Sequence, residues 1–186
     1  MFARTIADVV DLVASGEKVK FLHFWGHQPQ PDGSVGTGCL SQWWQAVFTV
    51  DRRTFATAEH YMMWSKAMLF GDTEVAGQIL AASHPHRAKT LGRQVRGFDQ
   101  TIWEARRYAI VVAGNMAKFG QHPGLRSCLL GTGNRVLVEA SPVDRIWGIG
   151  MAADDPRAGD PARWQGHNLL GFALMDARDQ LRKDSQ

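Results

Sequence analysis

Apolar positions recur along this chain in two rhythms, one helical and one extended. Ile6 to Ala14 repeats its apolar residues at helical spacing and stops at Gly16, which predicts a short amphipathic helix. Val19 to Trp25 is apolar and β-prone and predicts a strand. Gly26 to Gly38 (GHQPQPDGSVGTG) is rich in Gly, Pro and Gln and has the composition of a mobile loop. Gln45 to Val50 predicts a second strand, which Asp51-Arg52-Arg53 turns toward Thr54-Phe55. Thr57 then caps a helix over Ala58 to Phe70, with an imperfect capping box because Glu59 follows two residues later instead of three. Gly71 ends that helix. Thr73 to Ala82 predicts another, and His84-Pro85 breaks it, with Pro85 suited to the first turn of the next. Asp99 caps a long helix to about Lys118, and Pro123 to Leu130 predicts a shorter one. Arg135 to Ala140 reads as a strand, Ser141 to Gly150 and Ala152 to Trp164 as loops, and Asn168 to Arg182 as a closing helix. With neither a repeat nor a long linker, the chain reads as one α+β domain over residues 1–186, with its core at about 19–182. It is helix-rich and packed around a small β-sheet.

Composition narrows the class. Hydrophobic residues make up 45% and charged residues 21% of 186, ordinary for a globular domain able to bury its own core. A net charge of +3 is far from the basic footprint of a dedicated DNA binder but suits an anionic small substrate. Cys39 and Cys128 are the two cysteines, widely spaced and without a CxxC pair, which points to free thiols in a reducing compartment. No stretch reaches the length of a membrane span, and the acidic residues Asp8 and Asp11 break any leader-like run. The expectation is a cytoplasmic protein. Seven Trp against two Tyr draw attention, because indoles stack on bases and sugars as readily as they fill cores.

Two segments carry candidate chemistry. On the helix from Ala58, Glu59, Met63 and Lys66 fall at i, i+4 and i+7, on one face, with about 10 Å of axis between Glu59 and Lys66. A solvated face would show the same spacing. Met62, Met63, Trp64, Met68, Leu69 and Phe70 make the helix apolar nearly all round, however, and ionisable residues on such a helix need partners or a task. The second segment is Ser141 to Gly150 (SPVDRIWGIG), where a Pro-fixed turn presents Asp144 and Trp147, and Gly148 and Gly150 permit close backbone approach. Asp144 would equally serve as a local cap or as a partner of Arg145. Gly33 to Gly38 lacks the Lys of a phosphate-binding P-loop. His84 and His86 flank a Pro with no third ligand nearby, so no metal is expected. Ser41, Trp43 and Trp44 are placed to line a pocket mouth, and Arg106-Arg107 to be surface charge.

Taken in order, these blocks resemble the YbiA-like family, also called NADAR for NAD and ADP-ribose. The resemblance rests on Glu59-His60-Tyr61-Met62-Met63 with Lys66-Ala67; on Leu91 to Val95; on Trp103, Arg106 and Tyr108; on Asn115 with Lys118-Phe119; on Val138 to Pro142 with Asp144 and Trp147 to Gly150; and on Trp164, Gly166 and Asn168 to Gly171 with Leu174-Met175. Each block is weak alone; the ordered set, over roughly Phe21 to Leu181, is specific. Leu40-Ser41-Gln42-Trp43 departs from the family's Leu-Ser-Asn-Phe, and the Gly-rich insert is long.

The resemblance implies an N-glycosidase that needs no cofactor and splits a ribose, as ribose 5-phosphate or ADP-ribose, from a base nitrogen. Ribosylamino-pyrimidine phosphates of riboflavin synthesis and ADP-ribosylated guanine are the implied substrates, the latter as a nucleotide or within nucleic acid. It places Glu59, Lys66 and Asp144 in catalysis. Trp25, Gly26, Ser41, Tyr61, Arg93, Trp103, Trp147, Gly148 and Asn168 become the substrate-binding set, with Trp103 and Trp147 stacking on a base and Arg93 on phosphate. Lys66 has two open roles, a fixed cation or, if desolvated, a Schiff-base nucleophile. A module that holds ADP-ribose without cleaving it would use the same aromatic and basic residues, but has little use for Glu59 beside an anionic ligand. Oligomeric state is left open.

Overall fold

The structure is a computed structural model that describes residues 3–184; Met1, Phe2, Ser185 and Gln186, the ends of the expected domain, lie outside the described residues. The fold is α+β, and the chain forms two compact units. One holds residues 1–41 and 127–186, the other 42–126.

In the first unit, α1 (Ile6–Ala14) begins at a full capping box: Thr5 accepts from the Asp8 backbone while Asp8 accepts from the Thr5 backbone. β1 (Phe21–Phe24) pairs in parallel with β4 (Val136–Glu139), Phe21 opposite Val136 and Phe24 opposite Glu139. The ladder runs one bond further at each end, from Val136 N to Lys20 O (2.9 Å) and from Ala140 N to Phe24 O (2.9 Å). α7 (Leu169–Lys183) packs along β4 and buries Leu170, Phe172, Leu174 and Leu181. Asn168 ties the two together. Its backbone is left-handed at φ 53°, its Oδ1 accepts from Glu139 N (3.0 Å), and its Nδ2 donates to Leu137 O (2.9 Å). Gly26 to Gly38 folds back on itself: Gly33 N donates to Gln30 O (2.8 Å) and Gln30 N to Ser34 O (3.0 Å), and a 3-10 turn at Thr37–Leu40 follows. The segment is a loop, as expected, and is built from local turns.

In the second unit, β2 (Phe48–Val50) and β3 (Arg53–Phe55) form an antiparallel hairpin. Asp51 (φ 48°) and Arg52 (φ 62°) make the tight turn, both with the positive φ of a primed hairpin turn, without a glycine. The sequence expected this strand to start at Gln45; it ends at Val50 as expected, but the pairing begins only at Phe48. α2 (Ala58–Leu69) is capped by Thr57, α3 (Thr73–Leu80) by Asp72, and α4 (Pro85–Gly92) starts on Pro85 as expected. α5 (Gln100–Gln121) outruns its expected end at Lys118 because Gln121 has a task. Its side-chain amide pairs with the Thr49 backbone at 2.9 and 2.8 Å, closing the open edge of β2 as a strand would. Phe48, Phe55, Ala58 and Tyr61 form the core under this hairpin. α6 (Pro123–Gly131) follows α5 in the chain and precedes β4. Among the described residues no helix is long and apolar enough to cross a membrane.

Candidate functional site

α2 places the strongest candidates. Glu59 and His60 are 3% and 1% exposed in its first turn, far below what ionisable residues usually show. The Glu59 backbone N–H donates to Gln42 O (3.0 Å), and the Gln42 side chain donates to Asn115 Oδ1 (3.1 Å), so a buried amide pair fixes the turn at Gln42 that the first turn of α2 meets. The protons around His60 follow from its partners. Ala82 O (3.0 Å) can only accept, so Nε2 carries the hydrogen, and Nδ1 accepts from the Thr57 hydroxyl at 2.8 Å. Burial pushes the His60 pKa down, against the pull of the Ala82 carbonyl. His60 is therefore a neutral anchor for the first turn.

Two turns on, Lys66 lies in a pocket of aromatic rings. Its Nζ donates to Gly92 O at 2.9 Å and sits 4.1 Å from the Phe98 centroid and 5.6 Å from the Trp103 centroid. Burial lowers its pKa, and the nearby Arg93 guanidinium lowers it further. The unit thus brings Lys66, Arg93 and Trp103 together and adds Phe98, which the sequence did not single out. α4 closes on α2 at Gly92, where any Cβ would run into the Met63 side chain, and this contact sets the height of the Gly92 carbonyl over Lys66. Tyr61, expected to face substrate, is 9% exposed and packs on Phe55 (5.1 Å, edge to face) and Phe48 (6.1 Å), so its ring belongs to the core. Burial raises its phenol pKa while a hydrogen bond with Ser65 opposes the rise. His84 and His86 both meet Trp43 edge-on, and His84 caps α4.

Lys118, which the sequence placed in the ordered blocks without a role, is fully buried on α5, 4.8 Å from the Phe119 ring. Periodicity held the signal: Val111, Asn115 and Lys118 recur on the buried face of α5.

In the first unit, Asp144 spends one oxygen on its own turn: Oδ1 accepts from Ile146 N (2.9 Å) and Trp147 N (2.8 Å). Of the two readings open to it, the local cap is present. The start of α7 cradles the same loop, for Asn168 N donates to Gly148 O (3.1 Å), Leu169 N to Ile146 O (3.3 Å) and Leu170 N to Trp147 O (3.1 Å). The helix's orphan N–H groups thereby hold the Trp147 segment, which is why Asn168 can send its side chain to β4 instead of capping. Gly148 leaves no room for a side chain, since a Cβ there would lie 2.7 Å from Glu139 O. Gly148 and Asn168 therefore shape the loop and its support. Trp147 is half-buried, Ser41 is half-buried, and Trp25 (62%) and Gly26 are exposed where β1 ends.

Residues 23–182 match the model of the NADAR domain, a span that runs through both units. The chain belongs to the NADAR family. It is 41% identical over 169 residues to the N-glycosidase R617 of Acanthamoeba polyphaga mimivirus, covering 88% of this chain and 98% of that protein. It is 33% identical over 132 residues to the N-glycosidase YbiA of Escherichia coli, covering 71% and 74%. The solution NMR structure of Escherichia coli YbiA superimposes with a TM-score of 0.71 at 28% identity, over 89% of this chain and 87% of the other. The NADAR fold of this chain thus has a solved counterpart, and its α+β class agrees with the sequence reading.

Proposed function

We propose that this NADAR protein is a hydrolase that cleaves the N-glycosidic bond between a ribose and a base nitrogen. The observation that carries the reading is α2, where a buried carboxylate, Glu59, and a lysine half-buried against Trp103, Lys66, share one helix. The relatives' activity points the same way. In the cleavage the C1′–N electron pair leaves with the base, positive charge develops on the sugar, and water forms the new C1′–O bond. Glu59 faces the sugar cation and takes a proton from that water; the departing base nitrogen gains one in turn. Lys66, held by one carbonyl and two ring faces, acts as a fixed cation for the substrate's negative charge, with Arg93 as its second phosphate partner. Trp103, on the second unit, stacks on the base or on adenine, and Tyr61 supports α2 there. In the first unit Asp144 sets the turn that presents Trp147, Gly148 and Asn168 support that loop, and Trp25, Gly26 and Ser41 are its further candidate contacts.

The candidate substrates are the two groups that the family resemblance implies: ribosylamino-pyrimidine phosphates of riboflavin synthesis and ADP-ribosylated guanine. Incubation of the purified protein with each, followed by mass spectrometry, is expected to show free base together with ribose 5-phosphate or ADP-ribose. Intact substrate in every case, with tight binding of ADP-ribose, would make it a binding module instead.

A further inference from the structure

A cavity of about 1180 Å³ opens within the first unit, between α1, residues 15–20, the corner at 132–136 and α7. None of the residues assigned to the glycosidase reaction lines it. Its wall carries five Lys or Arg and three Asp or Glu, beside the apolar Leu12, Val136 and Met175. The deepest cation is Arg178, 3% exposed. Both of its hydrogen bonds leave from Nη1, to Thr132 Oγ1 (2.8 Å) and Arg135 O (2.9 Å). Its Nε is buried and makes no hydrogen bond. Asp179 Oδ1 stands 3.9 Å away, too far for one, and is within reach of Arg182 at 3.4 Å.

The carbonyls at this corner do not serve Nε either. Gly131 O and Thr132 O accept from Arg135 (3.0 and 2.8 Å), and Gly133 O accepts from Arg182 (2.5 Å). Burial, only partly offset by Asp179, brings the Arg178 pKa down to about 10, with Arg182, Arg4 and Arg135 adding to the fall, so the guanidinium remains charged at neutral pH. A buried N–H without an acceptor is costly, and more so on a charged group. Such a group persists where something outside the fold completes it.

We propose that this cavity is a second binding site, for a small organic oxyanion, with Arg178 holding a pair of oxygens through its Nε edge and Lys18 and Lys20 at the mouth. The Nε–Nη2 edge of a guanidinium matches the paired oxygens of a phosphate or carboxylate. The volume far exceeds that of a lone ion, and the apolar wall suits an organic body. Phenyl phosphate and benzoate share such a body and differ in the head group, so together they tell a phosphomonoester site from a carboxylate site.

The test is titration of the ¹⁵N-labelled full chain with each probe. The buried Arg178 Nε–H peak, assigned by its loss in Arg178→Lys, is expected to move with the amides of residues 132–136, and the probe with the higher affinity names the head group. Lys18→Glu with Lys20→Glu, both on exposed residues, is expected to weaken that probe at least about tenfold in a folded protein. If neither probe moves these peaks at millimolar concentration, or if the double variant binds as tightly as the wild type, the second site does not exist. Because no glycosidase residue is touched, that failure would leave the proposed reaction standing, and loss of glycosidase activity would not remove this site.

Discussion

Glu59 and Lys66 divide the labour of α2 by their surroundings. Glu59 is nearly sealed, so Glu59→Gln keeps the volume and removes the charge. Its turnover is expected to fall at least about 100-fold while the melting temperature stays near that of the wild type. Near wild-type turnover would remove Glu59 from the reaction. Lys66 tests the two roles left open for it. As a fixed cation it should tolerate Arg in part and Met not at all, and borohydride added during turnover should trap no sugar on it. As a nucleophile it would reject Arg, which stays protonated, and a reduced adduct would map to Lys66. Its depressed pKa also sets a sign: the ammonium is lost at lower pH than in a free lysine, so the alkaline limb of the rate profile should fall early and move up in Lys66→Arg. These residues were legible because an ionisable pair on an apolar helix stands out. Phe98 was not, because a lone aromatic just ahead of a helix cap leaves no periodic trace. Tyr61 sits in the same sequence block as Glu59 but turns into the core, an orientation that block membership does not encode.

At the scale of elements, the Trp147 loop is held by backbone more than by side chains. β4 offers Glu139 N and Leu137 O to Asn168, and the first N–H groups of α7 reach the loop carbonyls. Asn168→Asp should expose the dependence. The carboxylate can still accept from Glu139 N but turns an acceptor toward Leu137 O where a donor stood. A loss of about 1–3 kcal/mol is expected in denaturant unfolding, with reduced affinity for any ligand stacked on Trp147. Unchanged stability would mean that the helix start does not depend on this bridge. The sequence showed the helix, the strand and the loop, each at nearly its final bounds. It did not show that Asn168 joins all three, because a left-handed residue that bonds sideways looks like an ordinary cap. The sequence placed the turn at Asp51-Arg52-Arg53 but not its backbone, since positive φ is advertised by Gly and Asn and here is taken by residues that seldom adopt it.

For the whole molecule, helix spacing and caps carried most of the architecture, since α1 and α4 start where a capping residue or a proline dictates and only the ends of β1, β2 and α5 needed tertiary contacts to fix them. Its pH response follows from groups the sequence did not single out. His60 is buried and neutral, with its pKa pushed below the usual 6.5. Between that lowered value and 6.5 the unfolded chain binds a proton that the folded chain refuses, so stability falls as pH drops through this window, by at most about 1.4 kcal/mol per pH unit. Asp72 works lower on the scale. Arg96 grips both of its oxygens (2.6 and 3.1 Å), and Val75 N donates to Oδ1 (3.2 Å), so its carboxyl sits well below the usual carboxylate range. Its contribution is present above the ordinary carboxylate pKa and is lost as pH falls below it. Denaturant unfolding from about pH 8 to pH 3 should therefore show two descending steps. His60→Gln, which cannot take up the proton, should flatten the first and leave the second; Asp72→Asn should lower stability at neutral pH and flatten the second. A wild-type curve that is level from about pH 7 to pH 5 would show that His60 titrates as freely in the folded protein as in the unfolded one, and the neutral anchor assigned to the first turn of α2 would have to be given up.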